Sequence, residues 1–151
     1  MPLDTPVVLR SIYEMFEADA VAKGLEFRFV ETSRKADIEP LALMRIISNL
    51  VGNAIKYTAN GKVLLGVRRH EGRLWIEVHD TGPGLTLEEF QTALARDARL
   101  ERDLTTAEGN GLGLAIAAEL AAAHGCKLRL VSNRRNGTGL VLDCPTAPLR
   151  R

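Results

Sequence analysis

One stretch of the chain, residues 41–57, combines an apolar helix face with a separate polar stripe, and it constrains the fold more than any other feature. Its apolar residues recur at helical spacing and define a buried face: Leu43, Ile46, Ile47, Leu50, Val51, Ala54 and Ile55. Asn49, Asn53 and Lys56 lie at positions i, i+4 and i+7, so their side chains share another face of the same helix. This stripe is either ordinary solvated surface or a place where a metal ion and an anion are held together.

Length and charge describe one ordinary globular domain. The 151 residues are enough for a single core, and the net charge of +1 gives no reason to expect binding to nucleic acid or to an anionic membrane. No apolar run is long enough to span a bilayer and the N-terminus lacks signal-peptide features, so we expect a cytoplasmic domain. Cys126 and Cys144 lack the spacing of a metal or redox motif, so we expect both to be reduced and buried.

The remaining elements follow from periodicity and turn signals. Helical spacing predicts three further helices, at residues 6–23, 86–96 and 112–124. Alternation predicts five strands, at residues 25–31, 62–69, 73–80, 127–132 and 138–144. Residues 98–111 are charged and weakly periodic, and we expect a mobile loop there. This order predicts an open, mostly antiparallel sheet covered on one face by helices.

Three glycine clusters follow the polar helix. Residues 80–84 (Asp-Thr-Gly-Pro-Gly) come directly after a strand, and their glycines would let the backbone approach a ligand closely. Residues 109–114 (Gly-Asn-Gly-Leu-Gly-Leu) stand at the start of a helix, where unpaired backbone amides bind anions. Residues 137–139 (Gly-Thr-Gly) fall in the last hairpin. Taken singly, each cluster is also compatible with an ordinary turn.

In this order and spacing, the motifs resemble the catalytic ATP-binding domain of sensor histidine kinases. That domain belongs to a superfamily shared with gyrase, the ninety-kilodalton heat-shock chaperones and the mismatch-repair ATPases. Residues 49–58 are similar to the family's N box, residues 80–84 to its G1 box and residues 109–114 to its G2 box. The resemblance extends from the first helix to Pro145. It implies a two-layer α/β sandwich of the Bergerat type, in which three main helices cover one face of a mixed, mostly antiparallel sheet.

The resemblance also implies a role for each matching residue. Asp80 would accept a hydrogen bond from the adenine amino group, where guanine would present a carbonyl oxygen and be repelled. Asn53 would ligate Mg²⁺, Asn49 would assist at the phosphates or the metal, and Lys56 would offset phosphate charge. These three would be the catalytic residues, and Thr138 would support the adenine site through a water. The implied ATP-binding residues are Asn49, Asn53, Lys56, Tyr57, Asp80, Gly82, Gly84, Leu85, Gly109, Gly111, Leu112, Gly113, Leu114 and Thr138.

Position 49 separates branches of the superfamily. Members that hydrolyse ATP, and the related anti-sigma serine kinases, carry a glutamate four residues before the metal-binding asparagine, and it acts as a general base. Asn49 occupies that position here and cannot act as a base. A histidine acceptor needs no base, because neutral imidazole is already nucleophilic near pH 7. The sequence therefore favours phosphotransfer to histidine over hydrolysis.

The phosphoacceptor is expected outside this domain, because His70, His79 and His124 do not fall in a helical context that resembles the family's acceptor motif. The expected partners are a helical-hairpin phosphoacceptor domain, in a longer chain or in trans, and a downstream response regulator. We expect the domain itself to be monomeric and without membrane contact, although its parent protein could be membrane-anchored. Between the G1 and G2 boxes only Phe90 remains of a Phe-rich segment, which leaves a regulatory ATP-binding module without catalysis as the main alternative. A serine kinase and a purely structural domain are less favoured.

Overall fold

The computed structural model describes residues 4–95, 113–132 and 137–147, and these contain four helices and five strands. The helices are α1 (Thr5–Ala22), α2 (Pro40–Tyr57), α3 (Leu87–Leu94) and α4 (Leu114–Ala123). The strands are β1 (Glu26–Phe29), β2 (Lys62–His70), β3 (Arg73–Asp80), β4 (Lys127–Ser132) and β5 (Thr138–Cys144). Within the described ranges, none of the helices has both the length and the apolar character needed to cross a membrane.

The five strands form one mixed sheet in the order β1-β2-β3-β5-β4. Only β1 and β2 are parallel; the other three neighbouring pairs are antiparallel. Helices pack on the face of the sheet that carries the buried strand residues, with α2 contacting α1, α4, β2 and β3. The predicted α/β sandwich is therefore confirmed, with α1, α2 and α4 as its longer helices and α3 as a short fourth one.

Helix α2 begins and ends where local chemistry requires. The Glu39 side chain accepts hydrogen bonds from the amides of Leu41 and Ala42, at 3.1 and 3.0 Å, and so caps the N-terminus. Pro40 takes the first helical position, where the missing N–H costs nothing. At the other end, Lys23 Nζ donates to the carbonyl oxygens of Ile55 and Lys56, at 2.7 and 3.0 Å. The last turn of α2 is thereby tied to the end of α1.

The core lies between α2 and the sheet. All seven apolar residues of the predicted α2 face are buried, as that prediction required. Strands β2, β3 and β5 contribute alternate side chains to the same core: Val63, Leu65, Leu74, Ile76, Val78, Leu140 and Leu142. Because the apolar face of α2 packs into this core, its polar stripe lies on a different side of the helix.

Charged side chains tie strands β3, β4 and β5 together on the other face of the sheet. Asp143 is only 3% exposed, and it accepts hydrogen bonds from Arg73 Nε at 2.5 Å and Arg129 Nε at 2.8 Å. Burial alone would raise the pKa of Asp143, but the bonds from the two guanidinium groups hold that pKa below its ordinary value. The buried carboxylate of β5 is thus linked to both neighbouring strands, β3 and β4.

Some predicted boundaries and segments need correction or fall outside the described residues. Strand β1 is shorter than the predicted 25–31, because Leu25 precedes the regular strand and Val30 and Glu31 follow it. The helix predicted at 86–96 begins after the capping residue Thr86, whose side chain forms a capping box with Glu89, and it ends at Leu94. The helix predicted at 112–124 begins at Leu114, after the capping residue Gly113, and ends at Ala123. The predicted loop at 98–111 and the turn before Gly137 lie outside the described residues.

Candidate functional site

A pocket of about 240 Å³ opens between α2, the ends of β3 and β5, and the start of α4. We call it the α2–β3 pocket. It is lined by Leu50, Asn53, Ala54, Tyr57, Val78, Asp80, Pro83, Gly84, Leu85, Glu89, Leu114, Thr138 and Leu140. Most of these side chains are apolar, with a few polar groups among them, which is the usual character of a small-molecule site.

Seven of the predicted ATP-binding residues line this pocket: Asn53, Tyr57, Asp80, Gly84, Leu85, Leu114 and Thr138. Four others, Asn49, Lys56, Gly82 and Gly113, do not line it, although each neighbours a lining residue in sequence or in space. Gly109, Gly111 and Leu112 lie outside the described residues. Residues from the N box, the G1 box and the last glycine cluster thus converge on one cavity.

Asp80 is fixed at the end of β3, where it pairs with Thr138 of β5. Its Oδ1 accepts a hydrogen bond from the amide of Gly82 at 2.9 Å. Burial raises the pKa of Asp80 above its ordinary value, although amide donors from Gly82 and Thr138 and the nearby His79 oppose the rise. The carboxylate therefore has a defined position in a partly desolvated pocket.

Gly82 lies too close to its neighbours for a side chain to fit easily. A Cβ atom there would lie 3.0 Å from Thr58 Oγ1, 3.1 Å from Asp80 Oδ1 and 3.3 Å from the Tyr57 carbonyl oxygen. The close approach brings the turn after β3 against the C-terminal end of α2. Because Gly82 has no side chain, the turn that carries Asp80 can pack directly against the end of α2.

Thr58 is a residue whose part in the site the sequence did not reveal. Its hydroxyl is buried beside Gly82 and has no hydrogen-bond partner among the described residues. A buried hydroxyl left unpaired costs free energy, so a water or ligand near Asp80 would gain from pairing with it. In the sequence, Thr58 is the last residue of the segment that resembles the N box, and no pattern marks its burial.

Glu89 and the apolar lining were also missed as site residues. Ala54 follows Asn53 directly on α2, while Val78 and Leu140 lie two residues from Asp80 and Thr138 on their strands, so period-2 alternation could have found the strand residues. Glu89 reaches the pocket from α3, where it also accepts a hydrogen bond from the Thr86 amide at 2.9 Å. The placement of α3 is a tertiary feature that no local motif reports.

The two asparagines of the polar stripe contact each other, and Asn49 also lies against the start of α4. Asn53 Nδ2 donates to Asn49 Oδ1 at 3.3 Å, so the Asn53 carboxamide oxygen points away from Asn49. Gly113 caps α4 with φ +71°, and a Cβ there would lie 2.3 Å from Asn49 Nδ2. Asn49 therefore connects the polar stripe of α2 to the N-terminus of α4, where backbone amides favour negative charge.

Lys56 and Tyr57 stand at the rim of the site. Lys56 Nζ lies 5.2 Å from the centroid of the Tyr57 ring, and Lys56 is exposed to solvent. The backbone of Lys56 is held by Lys23, so the last turn of α2 presents both side chains from a fixed position.

The donor set decides what kind of metal ion would fit. Within the described ranges there is no cluster of three or more His, Cys, Asp or Glu side chains that could bind a metal by themselves. A carboxamide oxygen is a hard ligand, suited to Mg²⁺, which keeps several waters and shares the phosphates of its nucleotide. Asn53 fits that pattern, and none of the described residues that line the pocket offers a thiolate or an imidazole.

Comparison with known proteins shows which family the chain resembles. The sequence model of the histidine kinase-, DNA gyrase B-, and HSP90-like ATPase family matches residues 38–148. The chain is 30% identical over 136 residues to the sensor histidine kinase CusS of Escherichia coli strain K12, which covers 89% of this chain and 28% of CusS. It is 36% identical over 108 residues to the sensor-like histidine kinase SenX3 of Mycolicibacterium smegmatis, which covers 70% of this chain and 28% of SenX3. The chain thus spans little more than a quarter of these relatives.

Solved structures give the same picture of the fold. The catalytic domain of the histidine kinase ThkA, in a nucleotide-free form, superposes with a TM-score of 0.77 at 25% identity, covering 93% of each chain. Full-length ShkA in complex with AMPPNP superposes with a TM-score of 0.75 at 28% identity, covering 100% of this chain and 33% of ShkA.

Proposed function

The chain belongs to the family of histidine kinase-, DNA gyrase B-, and HSP90-like ATPases, and on that basis we propose that it binds Mg²⁺ and ATP in the α2–β3 pocket. We propose further that it donates the γ-phosphoryl group to a histidine of a phosphoacceptor domain in two-component signalling. Under this proposal the whole chain forms one catalytic domain, and the acceptor histidine lies on a different domain.

The convergence of Asp80, Thr138 and Asn53 on one mostly apolar pocket carries this proposal. The apolar walls would bury an adenine ring, and the fixed Asp80 carboxylate would accept the hydrogen bond of its amino group. The unpaired Thr58 hydroxyl beside Gly82 offers an additional polar contact, through a water, at the same end of the pocket. Guanine would direct a carbonyl oxygen at Asp80, so the site would select ATP over GTP.

The phosphates would extend from the adenine end toward Asn53 and the start of α4. Asn53 would hold Mg²⁺ through its carboxamide oxygen, and the ion would offset phosphate charge. Lys56 would add a second positive charge at the rim. Asn49, which contacts both Asn53 and Gly113, would hold the metal ligand at a fixed distance from the N-terminus of α4.

The residue at position 49 bears on which kind of side chain accepts the phosphoryl group. Asn49 stands where a catalytic carboxylate would activate water or a serine hydroxyl, and a carboxamide cannot take a proton. The three histidines of the chain are also poorly placed as acceptors. His70 stacks on Trp75, His79 is hydrogen-bonded to Glu77, and His124 follows the last turn of α4. Both facts support phosphotransfer to a histidine on a helical hairpin elsewhere, with a response regulator as the next partner downstream.

The alternative function, a regulatory ATP-binding module without catalysis, has one observation in its favour. Phe90, which alone remains of the Phe-rich segment, is only 5% exposed and packs into the core. It is therefore not presented to a partner domain. This alternative predicts nucleotide binding with no phosphotransfer.

Phosphotransfer to a helical-hairpin domain of the same signalling system distinguishes the two functions. With Mg²⁺ and γ-labelled ATP, we expect the hairpin to acquire label in the acid-labile, base-stable linkage of phosphohistidine. Asn53→Ala should abolish the transfer yet still bind adenosine, while Asn60→Ala, which changes an exposed asparagine just beyond α2, should transfer normally. Nucleotide binding without labelled hairpin would select the regulatory module, and release of phosphate alone would indicate hydrolysis.

A further inference from the structure

Cys126 and Cys144 lie next to each other at the end of the sheet farthest from the α2–β3 pocket. Lys127 pairs with Asp143 in the antiparallel β4–β5 ladder, and one step further out Cys126 immediately precedes β4 while Cys144 is the last residue of β5. Leu128 and Leu142, which pair two steps further in, are both buried, so the cysteines share their core-facing side. The two thiols therefore face each other across one rung of the sheet.

Opposed residues of this kind are spaced as a disulfide requires. Directly opposed antiparallel residues have Cα atoms about 4.5–5.5 Å apart. A disulfide spans Cα separations of roughly 4.4–6.8 Å. Both cysteines are free thiols in the structure, and neither forms a disulfide. Their opposed positions are therefore compatible with the backbone spacing of a disulfide.

The surroundings make the two thiols chemically unequal. Interaction with the Cys144 side chain lowers the pKa of Cys126, and the positive charge of Arg73 acts in the same direction against the effect of burial. Interaction with Cys126 and burial both raise the pKa of Cys144. Cys126 is 6% exposed and Cys144 is fully buried. Cys126 is thus the thiol that a small oxidant would reach first and the one that ionises more readily.

We propose that Cys126 and Cys144 are a redox-active pair that closes reversibly to an intramolecular disulfide when the domain meets a peroxide. The Cys126 thiolate attacks one peroxide oxygen; the O–O bond breaks, an S–O bond forms and hydroxide leaves, to be protonated to water. The Cys144 thiol then attacks the Cys126 sulfur; the S–S bond forms, the S–O bond breaks, and a second water leaves with the Cys144 proton. Overall, two thiols and one hydrogen peroxide give one disulfide and two waters.

The bond would clamp the start of β4 to the end of β5 without touching the α2–β3 pocket. Thr138, which lines the pocket, begins the strand that Cys144 ends. At about 3.3 Å per residue, the two ends of this strand are roughly 20 Å apart. Oxidation should therefore raise the thermal stability of the domain and leave nucleotide affinity nearly unchanged.

The test is oxidation of the folded 151-residue chain with hydrogen peroxide, followed by denaturation, alkylation with iodoacetamide and mass spectrometry. We expect a loss of two hydrogens, no alkylation, a peptide that links Cys126 to Cys144, and full reversal by dithiothreitol. The Tm should rise by about 5–10 °C on oxidation. Two alkylated cysteines after oxidation, or a disulfide between two chains, would overturn the proposal, as would an oxidised domain no more stable than the reduced one.

Single-cysteine variants test the assigned order of attack. Cys144→Ser should accumulate a sulfenic acid at Cys126, which dimedone traps, whereas Cys126→Ser should leave Cys144 unreacted in the same time. Dimedone labelling confined to Cys144 would overturn the assignment. If either variant fails to fold, the same order can be tested in the unsubstituted chain, where brief peroxide exposure in the presence of dimedone should label Cys126 and not Cys144.

Discussion

Asp80 combines the role that we propose for it in adenine recognition with a cost to the stability of the fold. Its carboxylate is partly buried and accepts a hydrogen bond from Gly82, yet the net effect of its surroundings raises its pKa. A carboxyl group whose folded-state pKa lies above its unfolded value favours the folded state most at pH values below the unfolded pKa. That contribution is lost as the pH rises through the folded pKa. At neutral pH the ionised Asp80 therefore lowers the stability of the empty domain.

Replacing Asp80 with asparagine should separate these two effects. The oxygen of Asn can still accept from the amide of Gly82, but the buried charge is gone, so we expect Asp80→Asn to be more stable than the unsubstituted domain at pH 7. The gain in Tm should shrink as the pH is lowered toward 4, because Asp80 then becomes protonated. ATP affinity should fall by roughly 1–3 kcal/mol. Thermal unfolding across this pH range and calorimetric titration with ATP measure both effects, and a variant that loses stability at pH 7 would contradict the account.

Gly82 tests how closely the G1 turn must approach α2. A methyl group at this position would press on Thr58 Oγ1, Asp80 Oδ1 and the Tyr57 carbonyl oxygen. We expect Gly82→Ala to displace the Asp80 carboxylate and to weaken ATP binding by about tenfold, or ~1.4 kcal/mol. Gly66→Ala is the matched control, because a Cβ there makes only ordinary contact with Val30, 3.6 Å away. Equal ATP affinities for the two variants would mean that this close approach is not needed.

At the scale of elements, α2 and α4 are coupled through Asn49 and Gly113. Gly113 has a left-handed backbone conformation that costs an L-residue roughly 1–2 kcal/mol. Its Cα hydrogen also faces the Asn49 carboxamide so closely that no Cβ fits. Asn49 and Gly113 are far apart in the sequence, so their contact is a tertiary one. The start of α4 therefore depends on a side chain from the polar stripe of α2.

A double-mutant cycle measures this coupling. Gly113→Ala should lower the free energy of unfolding by more than the backbone strain alone, because the new methyl group collides with Asn49. Asn49→Ala removes the obstacle, so the double variant should recover the part of the loss that exceeds the strain. We expect a coupling free energy of about 0.5–3 kcal/mol from denaturant unfolding of the four proteins. Additive effects of the two substitutions would show that the helices do not meet through this contact.

At the scale of the whole molecule, periodicity predicted the elements well, and tertiary contacts decided the rest. The apolar face of α2, from Leu43 to Ile55, was readable because one helix face met one core. Element order predicted a mostly antiparallel sheet covered on one face by helices, and the resemblance implied an α/β sandwich. The structure confirms both predictions. The strand order β1-β2-β3-β5-β4 could not be read locally, since the position of β5 between β3 and β4 depends on long-range pairing.

The sequence predicted those residues of the candidate site that belong to a recognisable motif, and it did not predict the others. Asp80, Asn53 and Thr138 were named because each stands in a recognisable motif, and the structure brings all three to one pocket. The burial of the Thr58 hydroxyl arises from the packing of the G1 turn against α2, and the place of Glu89 from the position of α3 beside the pocket. Contacts between distant segments leave no local pattern in a sequence. The assigned roles of the pocket residues remain predictions for experiment.

Calorimetric titration of the domain with ATP and with GTP, each in the presence of Mg²⁺, tests the central claim most directly. If the α2–β3 pocket holds adenine against Asp80, ATP should bind at least tenfold more tightly than GTP, a difference of about 1.4 kcal/mol or more. Omitting Mg²⁺ should weaken ATP binding, while adenosine binding should not change. Equal affinities for ATP and GTP, or ATP binding that is unaffected by Asp80→Asn, would contradict the assignment of this pocket as an adenine-nucleotide site.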